Sequence, residues 1–372
     1  MALGLNFGTG ADNDGETLFS AFTKINNFLS TTTKLSNGDL NINGVSIGLG
    51  AGSQGTNLAL GQNTGVSLLP IDNTQGDLNV FIGINSGSYT TTGRSNTFVG
   101  VESGNGNVAG SYNAYFGHQA GKYQIGSYNT FMGSLSGLNN IGQSNTFLGQ
   151  GAGQIGTSGS YGTFVGQAAG FNNTGGNNTF VGQAAGFNNT GGNNHVFIGT
   201  SAGTNQNGGY SNTFIGTSAG STSETLFNST AIGEYAQPNG SNQVTLGNSA
   251  VTSLRCQITS ITGLSDSRDK TNIVEISEGL GFVDKLKPVT FTWNQRDGNR
   301  VGAKAAGFIA QDLLELQNES SIGENLDLVS EADPERLEAR YSNLLPVLVK
   351  AIQELSLEVK SLKSEIELLK AI

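Results

Sequence analysis

The sequence predicts a mainly β chain: a β-solenoid or β-roll of 16- to 17-residue repeats, packed in an oligomer, then a small α+β domain ending in a coiled coil. Three observations predict it. The phrase Asn-Thr-Phe-(Val/Ile/Leu)-Gly recurs at near-constant spacing through the middle of the 372 residues. Glycine fills 56 positions while charged residues make up only 12%, where about a quarter is usual. At the far end, apolar residues alternate steps of three and four to the last turn.

This length suits two or three domains. Between Asn41 and Gly240 stand seven charged side chains, Asp72, Asp77, Arg94, Glu102, Lys122, Glu224 and Glu234. The net charge of −10 and pI near 4.7 argue against a nucleic-acid partner, which needs a basic face. A lone cysteine, Cys256, excludes an intrachain disulfide framework. Only His118 and His195 offer imidazole, so no metal site and no cofactor are expected. Disorder is the obvious alternative for so much Gly, Asn, Ser and Thr, but 19 regularly spaced phenylalanines argue against it. The opening Met1–Gly10 has no basic n-region, and no run approaches a membrane span. Synthesis in a cytoplasm and no membrane insertion are expected.

Residues 1–40 form the first segment. Leu18, Phe22, Ile25 and Leu29 make one apolar stripe of a short helix, with Asp12 or Asp14 placed to cap it.

Residues 41–240 are the repeats. The glycine of the phrase falls at Gly83, Gly100, Gly117, Gly133, Gly149, Gly166, Gly182, Gly199 and Gly216. Thr163–Asn178 and Thr179–Asn194 are identical copies. Each unit holds one strand bounded by Gly and Asn turn signals, a pattern that stacks at about 4.8 Å per rung. Asn at recurring positions suits amide ladders between rungs. Phe98 and Val99 are adjacent and face opposite sides of a strand. A strand apolar on both faces must be covered on both. One face packs inside its own coil and the other, most simply, against another chain.

Residues 241–259, including Asn242–Arg255, read as the neck where the repeats end. Residues 41–255 as a whole resemble the heads of trimeric autotransporter adhesins and the shafts of phage tail fibres. Asn13–Phe28 is similar to N-terminal segments of phage tail-fibre and baseplate proteins. That resemblance implies the end that attaches to the phage tail or baseplate; the plainer reading is a cap on the first rung.

Residues 260–372 close the chain. Leu345, Leu348, Ile352, Leu355, Val359, Leu362, Ile366 and Leu369 set a heptad over about 341–372. β-Branched residues at a with Leu at d lean by themselves toward two strands. Ahead of it lie Leu264–Ile273, Phe282–Asn294, Ala306–Asp312, Tyr341–Pro346 and Lys350–Leu355. In that order these segments resemble the intramolecular chaperone autoprocessing (peptidase S74-type) domain of phage endosialidases, tail spikes and tail fibres, which also occurs in myelin regulatory factor.

The resemblance implies a trimeric β-solenoid/β-roll fibre, a homotrimer folded by this domain, which then releases itself. The family's Ser and Lys, five residues apart, fall on Ser265 and Lys270. Serine needs a base, and a desolvated lysine can supply one. Attack on the Leu264 carbonyl would give an ester that water hydrolyses. Residues 1–264 would be the mature fibre and 265–372 the released chaperone. Side chains five apart do not share a helical face, so a turn or helix start is expected between them. Ser267 is a rival nucleophile, and Arg268 and Asp269 stand where they could orient the segment.

The implied protein is a virion tail fibre that attaches to a host cell-surface receptor, glycan or otherwise. A bacterial trimeric surface adhesin and a glycan-depolymerising tail spike are the alternatives. Tyr112, Tyr115, Tyr123, Tyr128 and Tyr161 have two readings, sugar-stacking platforms and core or interface packing. His118 and His195 read as ordinary surface or packing residues, and Trp293 as core rather than a ligand platform.

Overall fold

The computed structural model describes residues 32–34, 39–42, 44–51, 56–69, 75–156, 158–221, 223–257 and 262–371. The helix expected around Leu18, Phe22, Ile25 and Leu29 lies outside them. Two compact units divide between Asn248 and Ser249.

Among its described residues the first unit is one sheet of fifteen strands in sequence order. It opens with β1 (Thr32–Lys34), β2 (Leu40–Ile42), β3 (Val45–Gly48) and β4 (Leu58–Gly61), paired antiparallel. From β4 onward every pairing is parallel. The strands are β5 (Val80–Ile82), β6 (Thr97–Val99), β7 (Ala114–Phe116), β8 (Thr130–Met132), β9 (Thr146–Leu148), β10 (Thr163–Val165), β11 (Thr179–Val181), β12 (Val196–Ile198), β13 (Thr213–Ile215), β14 (Thr230–Ile232) and β15 (Val244–Leu246). Each is the Thr-Phe-Val of the repeated phrase or its relative, and equivalent residues pair directly: Phe164 lies beside Phe180 and Phe147. This is a β-solenoid.

Register places the middle residue of each strand from β5 to β13 in one internal column. Phe81, Phe98, Tyr115, Phe131, Phe147, Phe164, Phe180, Phe197 and Phe214 are fully buried. Their rings stack nearly parallel, 4.5–5.0 Å apart. Burying each ring contributes about 1.5–3 kcal/mol, and each stacked pair about 0.5–1.5 kcal/mol more. Ala59 and Ala231 close the column at its two ends.

A second column satisfies the turns before the strands. The side-chain oxygen of Asn79 accepts the Asn96 N–H at 3.0 Å, that of Asn96 the Asn113 N–H at 3.0 Å, and that of Asn113 the Asn129 N–H at 2.9 Å. The amides also donate across to the next rung, as Asn96 Nδ2 does to the Gly110 carbonyl at 2.9 Å. Buried polar groups must find such partners, which is why Asn recurs where the sequence is otherwise free to vary.

The recurring glycine has a steric cause. Gly166 has φ +137°, and a Cβ there would lie 2.4 Å from the Gly182 carbonyl oxygen. The corner just before the strand is left-handed too, at Ser95, Ser144, Asn177, Asn194, Ser211, Asn228 and Asn242. That conformation costs an ordinary L-residue about 1–2 kcal/mol, and Asn tolerates it best. Tyr112, Tyr128 and Tyr161 occupy the same corner in three other rungs, with φ of 60°, 63° and 59°.

The residue after each phenylalanine points the other way. Phe147 is 1% exposed while Leu148 is 44% exposed, and Phe116, Met132, Ile198, Ile215 and Ile232 stand out beside it. These side chains form an apolar stripe on the outer face of the sheet.

The second unit holds α1 (Leu280–Val283), β16 (Val289–Thr292), β17 (Lys304–Gly307), α2 (Ala310–Glu319), α3 (Gly323–Leu326), β18 (Val329–Ser330), β19 (Glu338–Ala339) and α4 (Leu345–Lys370). β16 pairs antiparallel with β17, and β18 with β19. Its core joins Phe282, Leu313, Leu316, Leu326, Leu328, Val329, Leu344 and Val347. Only the first turns of α4 are buried, through Val347 and Ala351. The heptad Leu345, Leu348, Ile352, Leu355, Val359, Leu362, Ile366 and Leu369 is exposed along the helix.

Candidate processing site

Ser265 and Lys270 lie at the start of the second unit, in an exposed segment. A 3-10 turn, Ser267–Asp269, separates them. Asp266 caps it by accepting the Arg268 N–H at 2.9 Å. The Arg268 guanidinium folds back onto the same carboxylate at 2.6 Å and holds its pKa below the usual range. The tight turn reverses the chain, so Lys270 Nζ reaches Ser265 Oγ at 2.5 Å and the Ser265 carbonyl oxygen at 3.2 Å. A continuing α-helix would have carried the two apart around its axis.

The structure therefore brings the Ser265 hydroxyl and the Lys270 amine together across the turn. Leu264 is 99% exposed, so the Leu264–Ser265 peptide is open to water. Ser267 is taken up in the turn, where its carbonyl accepts the Lys270 N–H at 3.2 Å. Arg268 is engaged by Asp266 rather than aimed at Ser265. No burial surrounds the pair within one chain: both residues are exposed.

The other segments that carried the resemblance build the domain. Tyr341 Oη donates to the Phe308 carbonyl at 3.2 Å and accepts the Phe308 N–H at 3.3 Å. Asn343 Nδ2 donates to the carbonyls of Leu326 and Asp327, each at 3.0 Å. Glu354 on α4 accepts the Leu280 N–H at 2.7 Å, which ties α1 to the long helix. Trp293, expected in the core, is half-buried with Arg300 over its ring at 4.6 Å.

Sequence reading missed a groove of about 850 Å³ beside it, lined by Phe291, Trp293, Arg296, Phe308, Arg336 and Tyr341. Trp293 Nε1 and Gln295 Oε1 have no hydrogen-bond partner among the described residues. Three separate segments build this groove, so no local pattern signals it. Of the histidines, His195 is fully buried and packs on Phe197. Of the tyrosines, Tyr115 joins the internal column while Tyr112, Tyr123, Tyr128 and Tyr161 are exposed.

The first unit is thus a β-solenoid, and the second a small α+β domain with its own core. Comparison with known families specifies that domain: residues 265–321 match the family described as chaperone of endosialidase. The match begins at Ser265 itself. No curated protein matches the chain. The chain thus carries a chaperone-of-endosialidase domain behind its solenoid, and that domain suggests a phage-associated protein.

Proposed function

We propose that the chain is a phage tail fibre that attaches the virion to a host-surface receptor. It assembles as a homotrimer under its C-terminal domain, which then cuts itself off between Leu264 and Ser265. The observation that carries this reading is the 2.5 Å approach of Lys270 Nζ to Ser265 Oγ, at the first residue of the chaperone match.

The chemistry is an acyl shift followed by hydrolysis. Lys270, acting as the base, takes the hydroxyl proton as Ser265 Oγ bonds to the Leu264 carbonyl carbon. The Leu264–Ser265 C–N bond breaks, and the freed nitrogen takes the proton from Lys270. Water then opens the ester, leaving a carboxylate on Leu264 and restoring the serine hydroxyl. A lysine serves as base only when desolvation leaves some amine neutral. Both partners are exposed in one chain, so neighbouring copies supply the shielding, and cleavage follows assembly.

Two unpartnered surfaces support the trimer: the apolar stripe of Phe116, Met132, Leu148, Ile198, Ile215 and Ile232, and the heptad of α4. In-register stacking of interlocked β-chains is slow because its contacts are non-local. A domain that gathers three chains at one end lowers that entropy cost, and its release leaves a kinetically trapped fibre.

The test is expression of the full chain with mass spectrometry of the products. Wild type should yield a fibre ending at Leu264, while Ser265→Ala and Lys270→Ala should stay full length. An uncut wild type, or a cut Ser265→Ala, would refute autoprocessing.

A further inference from the structure

From the left-handed tyrosine corners we infer a carbohydrate subsite on the solenoid: a notch between Tyr128 and Tyr161, floored by Ser144, that takes one neutral pyranose ring. It names a ligand for the attachment reading and rests on that reading for the ligand's source.

Tyr112, Tyr128, Ser144 and Tyr161 are successive occupants of one corner column. Elsewhere in the column stand only Ser and Asn, apart from Leu78 at its start, and the same backbone angle recurs. Tyrosine is the unfavourable choice at φ near +60°. Burial does not compensate, because Tyr112, Tyr128 and Tyr161 are 47%, 60% and 57% exposed. Side chains held in a disfavoured conformation while about half exposed point to a role at the surface.

The arrangement also has the dimensions of a site. Tyr112 stacks on one face of Tyr128, 5.1 Å away and 3° from parallel. The other face of Tyr128 looks toward the Ser144 rung, where the ring is missing, and Tyr161 resumes the column beyond it. Core rings of these same three rungs step by 4.8 and 4.5 Å. A flat ring laid over Ser144 therefore stacks on Tyr128 and Tyr161 at one rung's distance from each. Gln143 Nε2 donates to Tyr161 Oη at 3.4 Å, so an amide and a phenol stand together at the Tyr161 wall. Apolar faces with a few polar groups at the edge suit the C–H face and hydroxyls of a pyranose. Residues 123–223 contain no Asp, Glu, Lys or Arg, which favours an uncharged sugar.

The experiment uses the purified fibre on an array of neutral glycans ending in glucose, galactose, mannose or N-acetylglucosamine, with adsorption to a panel of bacterial strains in parallel. Tyr161→Ser removes one wall and Ser144→Tyr fills the notch. Wild type should bind at least one probe, and each variant should lose at least tenfold in affinity. Tyr161→Ser should melt no lower than wild type, since Ser is what other rungs use there; a purely structural ring would give the opposite result. Sugar binding absent from wild type, or retained in both variants, overturns the subsite, and cell adsorption that persists then leaves attachment standing. Notch-dependent sugar binding without cell adsorption overturns attachment alone.

Discussion

His195 Nδ1 accepts the backbone N–H of Asn212 at 3.1 Å, in the position where other rungs present an asparagine oxygen. Only the neutral imidazole can accept there. Burial pushes the His195 pKa from 6.5 down to about 4. The folded state thus binds its proton later than the unfolded chain does. The contribution is complete above pH 6.5 and is lost as pH falls toward 4, by about 3 kcal/mol per chain. His195→Asn restores the usual occupant of the column and removes this loss. Melting temperatures at pH 7.5 and pH 4.5 check it: the drop should be smaller in the variant. Equal drops would show that His195 does not titrate with folding.

The internal ring column makes a second expectation. Phe164 lies between Phe147 and Phe180 at 4.5 and 4.9 Å. Phe164→Ala removes two stacked pairs and opens a cavity, costing about 3–5 kcal/mol. Gly166→Ala adds a single methyl but forces it to 2.4 Å from the Gly182 carbonyl at φ +137°. The rungs must separate there, so this small change should destabilise as visibly as the large one. Urea denaturation of both variants, compared with Thr163→Ser on the outer face, decides it. A Gly166→Ala fibre as stable as wild type would mean the rung spacing is not fixed by this contact.

Much of this was legible because a repeat multiplies weak signals. One Asn-Thr-Phe-Val-Gly says little, but nine in step set the strand, the register and the two faces. The amide ladder was legible for the same reason. The outward fate of Leu148 and Ile198 was half legible: their need for cover followed from the sequence, while the coil's own geometry showed which face stays uncovered. Tyr128 and Tyr161 could not be separated from Tyr115 by type or spacing, since only φ and burial distinguish corner from core. In the second unit the heptad could be read from its spacing, whereas Ser265 and Lys270 were singled out only through the family resemblance. The exposure of that pair was not, because shielding depends on groups far away in sequence.

The outer stripe is tested by charge. Met132→Lys with Leu148→Lys places two ammonium groups on neighbouring rungs of the exposed face. In a single chain these positions already meet water, so the coil should tolerate them. In a trimer they would be buried unpaired, at a cost of several kcal/mol each. Light scattering after size exclusion should give the wild-type fibre three times the mass of one chain and the double variant a lower mass. A double variant of unchanged mass would place the interface elsewhere.

Glu354 tests whether the second unit acts during folding or in the finished fibre. Its carboxylate accepts the Leu280 N–H at 2.7 Å, so α1 docks on α4 through a charge-assisted bond worth about 1.5–3 kcal/mol. Glu354→Ala leaves that N–H without its partner and loosens the domain before it can gather chains. The solenoid sequence is untouched. Yield of soluble, processed fibre should therefore fall severalfold, while the fraction that matures should melt at the wild-type temperature, because the proposed cut removes the residues beyond 264. Quantitative gels and calorimetry on purified mature fibre separate the two effects. A mature fibre with lowered melting temperature would mean that the domain stays attached as a structural part, and the idea of a dispensable chaperone would fall with it.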